Sequence, residues 1–128
     1  MVPYRIRRGR LEIALVTTSS GNGWILPKGW VDDDEHPRAA AIREAEEEAG
    51  LLGVLARQPL GRYRYVNDTG PRDVDVYLMR VTEVLEQWPE ENRRRRRWMA
   101  FAEAAACLPR EPRRMLRAAG NALGTDGR

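Results

Sequence analysis

Residues 29–51 read GWVDDDEHPRAAAIREAEEEAGL, and the rest of the chain is organised around them. Residues 32–48 hold eight acids against Arg38 and Arg43, a local charge of −6 in a chain whose formal charge is +3; the remainder therefore carries +9. Ala39, Ala40, Ala41, Ile42, Ala45 and Ala49 form a helix-favouring run, with Pro37 suited to the first turn and Gly50 to the C-terminal stop. Asp33, Asp34 and Glu35 fall near the positive start of that helix, where carboxylates are favoured. Glu44, Glu46, Glu47 and Glu48 fall near its negative end and repel one another at three- and four-residue spacings. Arg43, four residues before Glu47, is the only local compensation.

At about 100° per residue, Glu44, Glu47 and Glu48 share an arc of about 100°, while Glu46 points nearly the opposite way. Ile42, Ala45 and Ala49 take a flank between them that suits packing on a sheet. Three carboxylates on one stripe form an oxygen-rich cage of the kind Mg²⁺ or Mn²⁺ prefers. A solvated acidic helix face is the alternative that spacing alone leaves open.

The whole pattern is more specific. From Gly29, five residues lead to Glu35, seven more to Arg43-Glu44, and then come Ala45, Glu47-Glu48, Gly50 and the aliphatic Leu51. This run resembles the signature of the Nudix hydrolases. At Ala45 the family more usually has a larger aliphatic, which predicts a helix packed more tightly on its sheet. The resemblance implies an α/β/α sandwich with a mixed β-sheet and hydrolysis of a diphosphate linked to another group. It implies Glu44, Glu47 and Glu48 as metal ligands, joined by the backbone carbonyl of Lys28, with Glu35 and Arg43 orienting the helix glutamates. Mg²⁺ is the expected ion and Mn²⁺ the alternative.

Outward from this stretch, 128 residues with 42% hydrophobic content predict one domain over residues 1–128 with an adequate core, residues 124–128 forming a loose tail. No apolar run approaches the ~20 residues of a membrane span. The N-terminal arginines are followed by no long apolar core, so no signal segment is read and the cytoplasm is the expected compartment. Cys107, the single cysteine, excludes an internal disulfide and a cysteine-based zinc cage. The basic surplus is almost all arginine and decides little by itself.

Residues 2–6 and 11–17 read as strands around a turn at Arg8-Gly9, with Leu11, Ile13 and Leu15 alternating with Glu12, Ala14 and Val16. Residues 24–26 make a short strand before Pro27-Lys28-Gly29. Lys28, the only lysine, borders the acid helix and is a candidate for holding a phosphate oxygen, with a solvent-facing lysine as the alternative. Residues 51–57 and 60–66 read as strands split near Pro59. Tyr63 and Tyr65 share one face for a core or interface role, and Arg62 and Arg64 share the other. Residues 67–72 read as a polar loop whose Arg72, with Arg64, is a candidate polyphosphate contact. Residues 74–84, apolar on both faces, predict one central strand.

Residues 93–97 are five consecutive arginines. On an extended strand they would alternate between faces, so the favoured reading is an edge segment whose arginines pair with nearby acids. Arg95 and Arg97 are the candidates if the run meets a polyphosphate. Residues 102–108 read as a short helix and 113–123 as an amphipathic one carrying Met115, Leu116, Ala119 and Leu123.

Residues 81–104, together with the WILPKG run before the acid stretch, resemble the Nudix branch that hydrolyses diphosphoinositol polyphosphates and diadenosine polyphosphates. The partner this implies is a small-molecule polyphosphate, with a nucleic acid as the less favoured alternative, and no membrane partner is expected. Hydrolysis of RNA 5′ ends and non-catalytic nucleotide binding are the competing classes. The proton acceptor is left open among Glu48, Glu90 and Glu91.

Overall fold

A computed structural model describes residues 1–28, 34–67 and 70–124. The leading part of the acid stretch, including Gly29, Asp32 and Asp33, and the end of the expected tail lie outside the described residues. Among the described residues eleven elements follow one another: β1 (Val2–Arg7), β2 (Arg10–Thr17), β3 (Trp24–Ile25), α1 (Pro37–Ala49), β4 (Leu51–Leu55), β5 (Gly61–Asn67), β6 (Gly70–Val76), β7 (Leu78–Val84), β8 (Arg96–Ala100), α2 (Phe101–Cys107) and α3 (Arg110–Ala122).

The main sheet runs β3-β2-β1-β7-β4, with β8 on the edge of β2 that β1 leaves open. β1 and β7 are parallel and the other pairs antiparallel, so the sheet is mixed as expected. Alternation along β2 explains the layering. Leu11, Ile13 and Leu15 enter a core with Phe101, Leu108, Met115 and Leu116, beneath α2 and α3. Ala14 and Val16 point the other way and pack with Ala49 and Leu51, beneath α1. The period of two in the sequence thus becomes an α/β/α sandwich.

Residues 74–84 are two strands rather than one. The chain changes sheets at Tyr77: β6 pairs only with β5, while β7 lies between β1 and β4. Val76, Tyr77, Leu78 and Met79 are all buried, so the apolar run that suggested one central strand also serves the crossing between sheets. Of the segment 67–72 expected as a polar loop, Asn67 belongs to β5 and residues 70–72 to β6.

On α1, Ala45 and Ala49 are fully buried against the sheet, while Ile42 is 44% exposed. Ala41 packs in its place, beside Tyr77 and Met79. The helix begins not on an acid but on His36, whose Nδ1 accepts the amide N–H of Arg38 at 3.1 Å. It ends at Gly50, which adopts φ 63° and donates to the carbonyl of Glu46 at 3.0 Å. A side chain at Gly50 would be strained, and its Cβ would stand 2.9 Å from Trp88 and Arg96.

Gly53 is required for a different reason. It follows an irregularity in the β4–β7 register, and a Cβ there would lie 2.2 Å from the carbonyl oxygen of Arg80. Gly53→Ala is expected to force the strands apart and destabilise the protein by about 1–3 kcal/mol. Urea unfolding of the two proteins measures this, and unchanged stability would show that β4 can shift freely.

Candidate active site

Glu48 is the buried centre of the site. It is only 2% exposed although it is a carboxylate on a helix. One oxygen accepts the amide N–H of Lys28 at 2.9 Å, and the other lies 3.3 Å from the Arg94 guanidinium. One turn back, Glu44 shares a side-chain hydrogen bond with it. Burial pushes the Glu48 carboxyl up to about 8, with Arg94 pulling down and Glu44 pushing further up. Burial also raises Glu44, against the opposing charge of Arg43.

Arg43 organises the outer side. Its guanidinium makes a two-pronged contact with Glu35, at 2.9 and 3.0 Å, and reaches Glu44 at 2.6 Å and Glu47 at 3.3 Å. Such fork-to-carboxylate geometry fixes orientation as well as charge. Glu44 and Glu48 therefore meet, while Arg43 stands between Glu44 and Glu47. Among the described residues no group of three acidic, histidine or cysteine side chains converges closely enough to hold an ion.

The chemistry of the carboxylate pair nevertheless fits a hard divalent cation. A buried carboxyl, Glu48, and a half-buried one, Glu44, joined by a hydrogen bond must share a proton, and both hold protons more tightly than usual. Burial is the main cause of both shifts, and a divalent cation beside the pair would favour its charged form. Their donors are all oxygen, which suits Mg²⁺ rather than a thiolate-seeking metal.

Residues distant in sequence complete the site. Arg94 donates to Glu90 at 2.7 Å and to the carbonyl of Thr17 at 2.9 Å, so its guanidinium links β2, the loop before β8 and Glu48. Trp88 donates from its indole N–H to the Glu48 carbonyl at 3.0 Å and stacks under Arg96, which in turn donates to the carbonyls of Ala49 and Gly50. These contacts close the C-terminal end of α1. The alternation expected across residues 93–97 does not begin until Arg96, because Arg93 and Arg94 are in a turn on the carbonyl of Glu90. Inside a run of identical residues nothing local distinguishes Arg94.

The structure sorts the remaining candidates. A cavity of about 130 Å³ opens beside Glu44 and Lys28, walled opposite by Arg72, Asp73, Val74 and Asp75. Arg72 is thus near the carboxylates, whereas Arg64 is exposed and pairs with Asp73 at 3.4 Å. Arg97 pairs with Glu103 at 2.8 Å. Arg95 is exposed, and its amide N–H donates to the Thr17 hydroxyl at 2.9 Å. Glu90 is mostly shielded within the Arg94 network, and Glu91 is exposed. Tyr63 belongs to the core.

A NUDIX domain model matches residues 3–119. The chain belongs to the Nudix family. It is 32% identical over 124 residues to "Nudix hydrolase 12, mitochondrial" of Arabidopsis thaliana, covering 80% of this chain and 61% of that protein. It is 38% identical over 100 residues to "Diphosphoinositol polyphosphate phosphohydrolase 3-beta" of Bos taurus, covering 76% and 60%. This Nudix chain therefore spans about three fifths of each of these curated relatives. Among solved structures, an Ap4A hydrolase of C. elegans superposes with a TM-score of 0.78 at 25% identity, covering 95% of this chain and 93% of that one. Several plant relatives are named mitochondrial or chloroplastic, and among the described residues no helix is long and apolar enough to cross a membrane.

The raised Glu48 carboxyl has a measurable consequence in ion-free protein. The folded state holds a proton that the unfolded chain releases, so stability falls as pH rises from about 4.5 to about 8. Glu48→Gln is expected to flatten that slope, measured by denaturant unfolding with chelator across the range. An unchanged slope would remove Glu48 as its source.

Proposed function

We propose that this Nudix protein hydrolyses phosphoanhydride bonds in nucleoside-diphosphate-linked or polyphosphorylated small molecules, with dinucleoside polyphosphates and diphosphoinositol polyphosphates as the leading substrates and Mg²⁺ as the ion (Mn²⁺ the alternative). The observation that carries this reading is the hydrogen-bonded Glu44–Glu48 carboxyl pair on α1, of which Glu44 lines a cavity together with Lys28 and Arg72. In this reading Glu44, Glu47 and Glu48 hold the ion together with the Lys28 carbonyl. When bound, such an ion neutralises phosphate charge and makes water more acidic.

The chain's own residues do the positioning. Arg43, tied to Glu35, orients Glu44 and Glu47. Arg94 bridges Glu48 and Glu90, and the acceptor for the proton of the attacking water stays open between these two. Glu91 is disfavoured by its exposure. Lys28 and Arg72, near the cavity, and the exposed Arg95 supply charge for the phosphates. Such chemistry is mostly placement and charge stabilisation.

Hydrolysis of RNA 5′ ends gains little support from the arginine run, since Arg93, Arg94 and Arg97 pair with acids of the same chain. The cytoplasm remains the proposed compartment.

A panel of phosphoanhydrides incubated with Mg²⁺, with products identified by mass, tests the reading. Glu47→Gln and Glu48→Gln are expected to lower kcat by about a hundredfold or more with the far-UV spectrum unchanged. Near-normal turnover in both would overturn the assignment. Arg95→Ala is expected to raise KM and leave kcat alone; an unaltered KM would place Arg95 outside the substrate path.

A further inference from the structure

The two oxygens of Glu48 meet different partners. Oε2 accepts the Lys28 N–H at 2.9 Å, and Oε1 lies 3.3 Å from Nη2 of Arg94. The same guanidinium donates through Nε to Glu90 at 2.7 Å and through Nη1 to the Thr17 carbonyl at 2.9 Å. Each of its nitrogens thus meets a separate oxygen, from α1, from the loop before β8 and from the end of β2. The side chains of Glu48, Glu90 and Arg94 are 3%, 17% and 15% exposed, so water replaces little of this contact.

Two carboxylates and a backbone carbonyl around one shielded positive centre are the donor set that a hard divalent ion takes. A guanidinium spaces its oxygens more widely than a bare ion does, so an ion in its place would retain some of its own water. The oxygens do not depend on the Arg94 side chain for their positions. The Glu90 N–H donates to the Glu47 carbonyl at 3.0 Å, which ties the loop to α1. Thr17 is held by Arg95, whose carbonyl accepts its N–H at 3.0 Å and whose own N–H donates to its hydroxyl at 2.9 Å. One guanidinium serving two carboxylates leaves the group net negative.

We propose that Arg94 is a positioning residue that stands in for a cation between Glu48 and Glu90. It confines a divalent ion to the side of Glu48 that faces Glu44, and Glu90 is not a metal ligand. Loss of its charge opens a second ion position held by Glu48, Glu90 and the Thr17 carbonyl. This inference deepens the proposed function and rests on its ion reading of Glu44 and Glu48.

Ions bound per chain are counted from free Mn²⁺ by electron paramagnetic resonance and again by calorimetry, neither of which depends on turnover. Arg94→Ala is expected to bind one more Mn²⁺ at saturation than wild type. Arg94→Lys, which restores a single positive charge, should restore the wild-type count. The extra ion should disappear in Arg94→Ala/Glu90→Gln, and Glu90→Gln alone should keep the wild-type count. A merely structural Arg94 would change stability and leave every count equal. That result overturns the proposal, as does an extra ion that appears in Arg94→Lys or survives the loss of Glu90. An ion lost in Glu90→Gln alone overturns it too, because Glu90 would then be a ligand in the wild type.

Arg94→Ala strands two shielded carboxylates and is expected to be less stable than wild type. Its melting temperature is therefore measured with and without Mn²⁺, which should raise it by more than in wild type. Protein that stays unfolded at saturating Mn²⁺ counts against the proposal. Failure of the hydrolase reading looks different: wild type binds no Mn²⁺ and cleaves no phosphoanhydride. Arg94→Ala that binds one ion even then supports the role of Arg94, and Arg94→Ala that binds none overturns it.

Discussion

A carboxylate buried at the end of a helix is the constraint around which this protein is built. Removing a charge from water costs several kcal/mol unless partners replace the lost hydration. Glu48 finds three partners, and only Glu44 is its neighbour on the helix. Lys28 N–H comes from 20 residues before it and Arg94 from the loop leading into β8. The site and the fold are therefore the same set of contacts. Trp88 and Arg96 hold the last carbonyls of α1, and in doing so they fix where Glu48 points.

That burial, more than repulsion along the helix, is what makes the acids unusual. Like charges three or four residues apart cost only about 0.2–0.5 kcal/mol per pair on an exposed helix. A solvated helix would tolerate four such glutamates. The raised proton affinity of Glu44 and Glu48 follows first from that burial, which Arg43 and Arg94 offset only in part.

The arginines show how poorly composition reports on a surface. A chain with 22 basic residues invites a polyanion-binding reading. Yet Arg43, Arg94 and Arg96 are all at least partly buried, against carboxylates, carbonyls and an indole ring, where their rigid fork can make several directed bonds at once. Arg5 stacks on Trp98, 3.9 Å from its ring centre, and pairs with Glu12. Much of the excess charge is thus structural.

Local pattern determined a good deal. The two-residue period of β2 specified both layers of the sandwich, and the helical run from Pro37 to Gly50, with its spacing of Glu35, Arg43, Glu44, Glu47 and Glu48, specified the acid helix and the family. Such features are legible because period and capping depend on neighbours within a few residues. Three-dimensional packing alone decided that Ile42 would turn outward and Ala41 inward, that residues 74–84 would change sheets at Tyr77, and that Arg94 rather than Arg95 or Arg97 would reach Glu48. It also decided that Asp73 and Asp75, silent in the sequence, would line a cavity together with Glu44. The physical reason is common to all of these. Which side of a chain is buried, and which distant charge it meets, depends on contacts between segments far apart in sequence, and no local period encodes them.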